Sequence, residues 1–221
     1  MITALILTGL LAHRHEDAWT LKMPYEKGKK VVWTSKIHAT ADGMDHDATM
    51  DLVLTPGDTA PGGRKVNYAW EKLELDGNPV QIPATYDVIM DDTGVVQDKT
   101  GTDEDEIRRY ASIYSFSYPK DPVKVGDKWK VEVTPKASGA QKITYTFEVK
   151  EATKVKDKDV LKITSVETEA GSSGIHNEGT WYVNHDGAIV KFKLDVTNWV
   201  VPFAGSQAAV NAVIEGETQS K

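Results

Sequence analysis

Cysteine is absent from the 221 residues, which removes disulfides, thiolate metal sites and a cysteine nucleophile together. The same absence removes the lipidated cysteine that anchors bacterial lipoproteins. Basic residues are outnumbered, with 26 Lys and Arg against 33 Asp and Glu and a formal net charge of −7. No run of Lys or Arg makes up a local basic patch, so phosphate backbones repel the chain and nucleic acid is not an expected partner. Long apolar runs are also lacking. Met1–Ala12 is too short to span a bilayer, and no later stretch is apolar enough, so no membrane span is expected. There is no P-loop, no dinucleotide fingerprint and no His-Glu-x-x-His. Gly171-Ser172-Ser173-Gly174 lacks the spacing of a nucleophile elbow. A non-catalytic protein without a cofactor is the expectation.

What is present begins with a leader-like run. Met1–Ala12 is apolar and ends in a small residue before the polar His13, as the apolar region of a secretory signal does. No Lys or Arg precedes it, and Leu10 stands where a small residue is usual. Export to the periplasm or beyond is one reading, with residues 1–12 as leader. A buried N-terminal strand or helix is the other.

One turn occurs twice. Tyr86–Val96 and Trp181–Lys191 each read apolar strand, acidic turn ending in glycine, apolar strand. Their glycines, Gly94 and Gly187, lie 93 positions apart and suit the positive φ of a tight hairpin. Pro24, Gly28 and Lys30 recur as Pro122, Gly126 and Lys128, each 98 positions on. Both patterns point to an internal duplication. The expected organisation is a first β repeat over 13–101, a helix and connector over 102–121, and a second β repeat over 122–221.

Between the turns, hydrophobic residues alternate. Val31, Trp33, Ser35, Ile37 and Ala39 share one face; Val66, Tyr68 and Trp70 share another, with a slip of register near Lys72. Polar loops are expected at Thr40–Asp47 and Pro56–Gly63. Ile143, Tyr145, Phe147 and Val149 alternate in the second half, as do Val190, Phe192, Leu194 and Val196. Ala208–Ile214 leans towards strand but leaves a short helix open. The spacing of Ile107, Tyr110, Ala111 and Tyr114 after the acidic Asp103–Glu106 predicts one helix near 103–114. The fold class is therefore mainly β, antiparallel, about ten or eleven strands in two related halves. Such a sheet curls into a half-barrel or folds into a sandwich.

Pro122–Trp129, the long alternating strands after it and Trp181–Gly187 resemble a family of uncharacterised exported bacterial β-proteins. More loosely, the strand count with one helix resembles the half-barrel of periplasmic lipoprotein carriers. That second resemblance implies an apolar concave face that takes up lipid or acyl chains.

Four candidate sites remain. The strand aromatics Trp33, Tyr68, Trp70, Trp129, Tyr145, Phe147, Trp181 and Phe192 could line a cavity for an apolar or lipid-like ligand, or simply pack a core. Asp92-Thr93-Gly94 matches the tripeptide of aspartic proteases, but the second copy reads His185-Asp186-Gly187, and turns favour Asp and Gly anyway. His13 and His15 would form a Cu(II) or Ni(II) site only if the chain were cut after Ala12. His38, Asp42, Asp45, His46 and Asp47 cluster without a recognised zinc or calcium spacing, and a solvated acidic loop explains them.

Overall fold

The computed structural model describes residues 18–80, 85–100, 109, 111–134, 141–200 and 209–219. Alternation of apolar and polar residues gives antiparallel strands throughout: β1 (Val31–Ala41), β2 (Met44–Ala60), β3 (Gly63–Leu75), β4 (Asn78–Pro79), β5 (Thr85–Met90) and β6 (Val96–Thr100) in the first half. β7 (Lys128–Val133), β8 (Ile143–Val155), β9 (Lys158–Glu169), β10 (His176–Asn184), β11 (Ile189–Val200) and β12 (Ala209–Thr218) follow. All twelve belong to one nearly closed, barrel-like sheet in the order β6-β5-β3-β2-β1-β12-β11-β10-β9-β8-β7, with β4 beside β3.

The order is an up-and-down meander whose first and last strands meet. β1 pairs with β12 from Trp33↔Thr218 to Thr40↔Asn211, so the two halves are zipped into one sheet. The two edges, β6 and β7, are consecutive in the chain. The segment joining them does not simply cross the gap. Ala111, Ser112, Ile113, Tyr114, Ser115, Phe116, Ser117 and Tyr118 are all buried, which a surface connector could not achieve. This stretch lies among the inward side chains of the sheet. Phe116 packs edge-on to Phe147 of β8 at 5.3 Å and Trp181 of β10 at 5.5 Å. Tyr114 meets Phe192 and Trp199 of β11 at 6.2 and 6.4 Å. The apolar concave face is covered by the chain itself.

Several sequence expectations are corrected by turn chemistry. Thr40–Asp47 is not a loop: the strands run to a two-residue turn, Asp42-Gly43, with φ of 51° and 76°. Two successive positive φ values make the tight hairpin that suits the right-handed twist of its strands. Pro56–Gly63 is mostly strand as well, since β2 continues to Ala60 through a shift of register between Pro56 and Thr59. A bulge lets a proline sit in a strand without a ladder bond. The slip near Lys72 is real, with Lys72 itself at φ 53° and the register shifting between Thr49 and Asp51 opposite it. Ala209–Thr218 is strand, not helix. Of the helix expected near 103–114, Arg109, Ala111 and Ser112 are helical and Ile113-Tyr114 already turn; Ile107 and Tyr110 lie outside the described residues.

The twin turns have the same bonding. Asp91 N–H donates to Val95 O at 3.0 Å, and Asn184 N–H donates to Ala188 O at 3.0 Å. Asp91 Oδ1 accepts from Thr93 N–H at 2.8 Å and Val95 N–H at 3.1 Å. Asn184 Oδ1 accepts from Asp186 N–H at 3.1 Å and Ala188 N–H at 2.8 Å. An Asx side chain nucleates the corner in each half.

Candidate functional site

Two places depart from ordinary core packing. The first is an open crevice of about 1070 Å³ at the end of the barrel that holds both acidic turns. Its outer wall is the lead-in segment before β1, which is tied down like a strap. Trp19 exchanges two backbone bonds with Val123, at 2.7 and 2.9 Å, and its ring stacks on His185 at 3.4 Å. Leu21 is buried. Further along, Arg64 donates to Tyr25 O at 2.6 Å, Gly28 N–H donates to Pro56 O at 2.7 Å, and Lys27 pairs with Asp58. Gly187 is required under this strap: a Cβ there would stand 1.8 Å from Lys22 O.

The floor of the crevice is apolar and aromatic. Met23, Val31, Trp33, Tyr118 and Ile189 line it. Tyr118 is pinned by its hydroxyl, which donates to Gly187 O at 2.8 Å. Burial raises the Tyr118 and Tyr68 hydroxyls well above the usual phenol range, so both stay protonated. The Trp33 indole N–H and the Tyr68 hydroxyl have no hydrogen-bond partner among the described residues. At the rim stand Glu26, Lys29, Lys30 and Asp186. At about 1070 Å³ it stands just above the roughly 300–1,000 Å³ of usual small-molecule pockets.

The second place is a buried polar cluster that sequence reasoning missed. Along β9, the inward positions Leu161 and Ile163 are followed by Ser165, Glu167 and Glu169, all buried. Two acids on the inward parity of an alternating strand were the available signal. Glu169 accepts from Arg109 Nε at 2.9 Å and from Ile175 N–H at 3.2 Å. Asn177 Nδ2 donates both to Glu167 Oε2 and to Ile113 O, each at 3.1 Å. Burial pushes the Glu167 carboxyl up to about 7, with the Glu169 charge acting in the same direction against the hydrogen bonds from Asn177 and Ser112. Arg109 also donates to Ser173 O at 2.6 Å. Arg109 to Glu169 and Asn177 to Ile113 O tie this cluster to the leading end of the inner segment, while Tyr118 holds the other end.

The sequence-predicted aromatics all join one interior cluster. Trp33, Tyr68, Trp70, Tyr145, Phe147, Trp181 and Phe192 are buried, and Trp129 is half-buried against them. Trp33 alone of the eight lines the crevice. Phe147 and Trp181 pack on Phe116, Trp129 packs on Phe147 at 5.0 Å, and Tyr68 and Trp70 pack on Tyr86 at 5.3 and 5.0 Å. Asp92 is exposed on its turn, and the Thr93 hydroxyl donates to Asp91 Oδ1 at 2.7 Å, an intra-turn bond. His13 and His15 lie outside the described residues.

The histidine-acid cluster is pulled apart by strand parity. His38 bonds Asp47 across the β1–β2 ladder at 2.9 Å, whereas His46, on the other parity, bonds Asp76 at 2.8 Å. Asp45 accepts from Thr40. Among the described residues no group of three or more His, Asp or Glu is placed to hold a metal ion. Among them, too, no helix is long and apolar enough to cross a membrane.

No family model matches the sequence, and no curated protein matches it. Among solved structures the chain is similar to a Bacteroides fragilis protein described as a candidate exported protein with a YmcC-like fold. The TM-score is 0.38 at 12% identity, over 92% of this chain and 100% of that one.

Proposed function

We propose that this chain is a non-catalytic, extracytoplasmic binding or carrier protein that takes an apolar or lipid-like ligand into the crevice beneath the lead-in strap. The observation that carries the reading is the crevice of about 1070 Å³, with Trp33, Val31 and Ile189 on its floor, beside a packed interior cluster of the described residues. The leader-like Met1–Ala12 supports the extracytoplasmic part. The test uses the neutral probe N-phenyl-1-naphthylamine with the native protein. Fluorescence enhancement with micromolar affinity is expected, and it should weaken in Ala188→Trp, which narrows the crevice. No enhancement in the native protein contradicts the reading.

A second reading has its own observation. Residues 111–118 fill the sheet with the chain's own side chains, as a structural or interaction protein would. The two readings part at the crevice, and the same probe distinguishes them.

A further inference from the structure

The ligand reading can be carried to the chemistry of the head that the crevice receives. Four charged residues line it: Glu26, Lys29, Lys30 and Asp186. Lys29 is paired with Glu26 at 3.3 Å. Lys30 and Asp186 are exposed and have no ion-pair partner among the described residues. One cation and one anion are thus left facing the same cavity.

Topology fixes how they stand. Lys30 directly precedes β1, and Asp186 lies in the turn that leads into β11. Both strands flank β12, whose end is bonded to each of them: Gln219 N–H donates to Val32 O at 3.0 Å, and the Thr218 hydroxyl donates to Ile189 O. Two strand spacings put the two stems roughly 10 Å apart across the mouth of the crevice. A Lys side chain is long and mobile enough to reach towards that gap. Val31, Trp33 and Ile189 line the same crevice and are its apolar residues beside these two strands' ends.

We infer that the crevice receives an amphiphile with a zwitterionic head, its anionic group at Lys30, its cationic group at Asp186 and its chain on the Trp33 floor. The inference rests on the crevice being a ligand site. A purely anionic head would set its charge against Asp186, and a cationic one against Lys30. A zwitterion satisfies both, and the aromatic rings of Tyr25 and Tyr118 beside it suit a quaternary ammonium.

Four dodecyl amphiphiles of one chain length test this below their micelle concentrations: dodecylphosphocholine, dodecyl phosphate, dodecyltrimethylammonium and dodecyl maltoside. Calorimetric titration of the full chain should rank dodecylphosphocholine tightest, by at least about fivefold, from two partly exposed charge contacts. Lys30→Met should move the preference to dodecyltrimethylammonium, and Asp186→Asn should move it to dodecyl phosphate. Both side chains are exposed, and the turn uses the backbone of Asp186 rather than its carboxylate, so both variants keep the fold. Equal affinity for all four heads, or preferences that do not move in the variants, overturns the zwitterion while leaving the crevice as an apolar site. No binding of any of the four to the native chain, or affinities unchanged in both Ala188→Trp and the milder Ala188→Leu, overturns the crevice itself.

Discussion

The Tyr118 hydroxyl donates to the Gly187 carbonyl at 2.8 Å, tying the end of the inner segment to the second of the two acidic turns. The N–H of the same residue donates to Thr93 O, at 2.6 Å, in the first turn. One side chain and one amide of the same residue therefore bind both corners. In Tyr118→Phe the buried carbonyl loses its donor, which costs about 1–3 kcal/mol. Urea unfolding should show the midpoint falling with an unchanged slope.

Gly187 sits at φ 80° with the strap's Lys22 carbonyl where a Cβ would go, whereas Gly126, at φ 92°, has open space around that position. Gly126→Ala bears only the left-handed backbone cost, about 1–2 kcal/mol. Gly187→Ala must also displace the strap, and should lose roughly 2–5 kcal/mol in all. Equal losses for the two variants in matched denaturation curves would contradict the strap's close seating.

Phe116 is the hub of the inner segment, touching Tyr118 at 4.9 Å as well as Phe147 and Trp181. Phe116→Ala should cost about 3–5 kcal/mol, as for a large ring removed from a closed core. An exposed-surface value, within about 0.5 kcal/mol, would mean that residues 111–118 are not the filling of the sheet.

Glu167 gives the fold a pH dependence of unusual sign. Its carboxyl is raised in the folded state from 4.5 to about 7, so the folded form holds a proton that the unfolded form releases. Its contribution is therefore fully present below pH 4.5 and is lost as the pH rises towards 7, by about 3 kcal/mol. Glu167→Gln mimics the neutral acid. The stability difference, variant minus wild type, should grow between pH 4.5 and 7 and level off above. A difference that is flat with pH would contradict the buried, proton-holding carboxyl.

The fold was largely legible because alternation and turn chemistry are local. Trp33, Ser35 and Ile37 face inwards as their spacing implies, the slip at Lys72 stands where parity changes, and Asp91 and Asn184 build the same corner. The polar neighbours of Asp42-Gly43 suit a loop as well as a strand end, although Asp-Gly between alternating residues is itself a hairpin signal. The site was less legible for a physical reason. Alternation tells which side chains face inwards, but not what they meet there. Trp181 and Phe192 read alike as cavity lining and as core until Phe116 and Tyr114 are placed against them, from a segment far off in sequence. The crevice likewise joins Lys30, Asp186 and Tyr118 across long separations, which no spacing rule reports.

The most direct test is a native mass spectrum of the full-length product recovered from the extracytoplasmic fraction of a bacterial host. The protein should carry one amphiphile-sized adduct, replaced by dodecylphosphocholine on titration and held more weakly in Ala188→Trp. A bare polypeptide that retains no added dodecylphosphocholine would contradict it and leave the self-filled barrel as the better description.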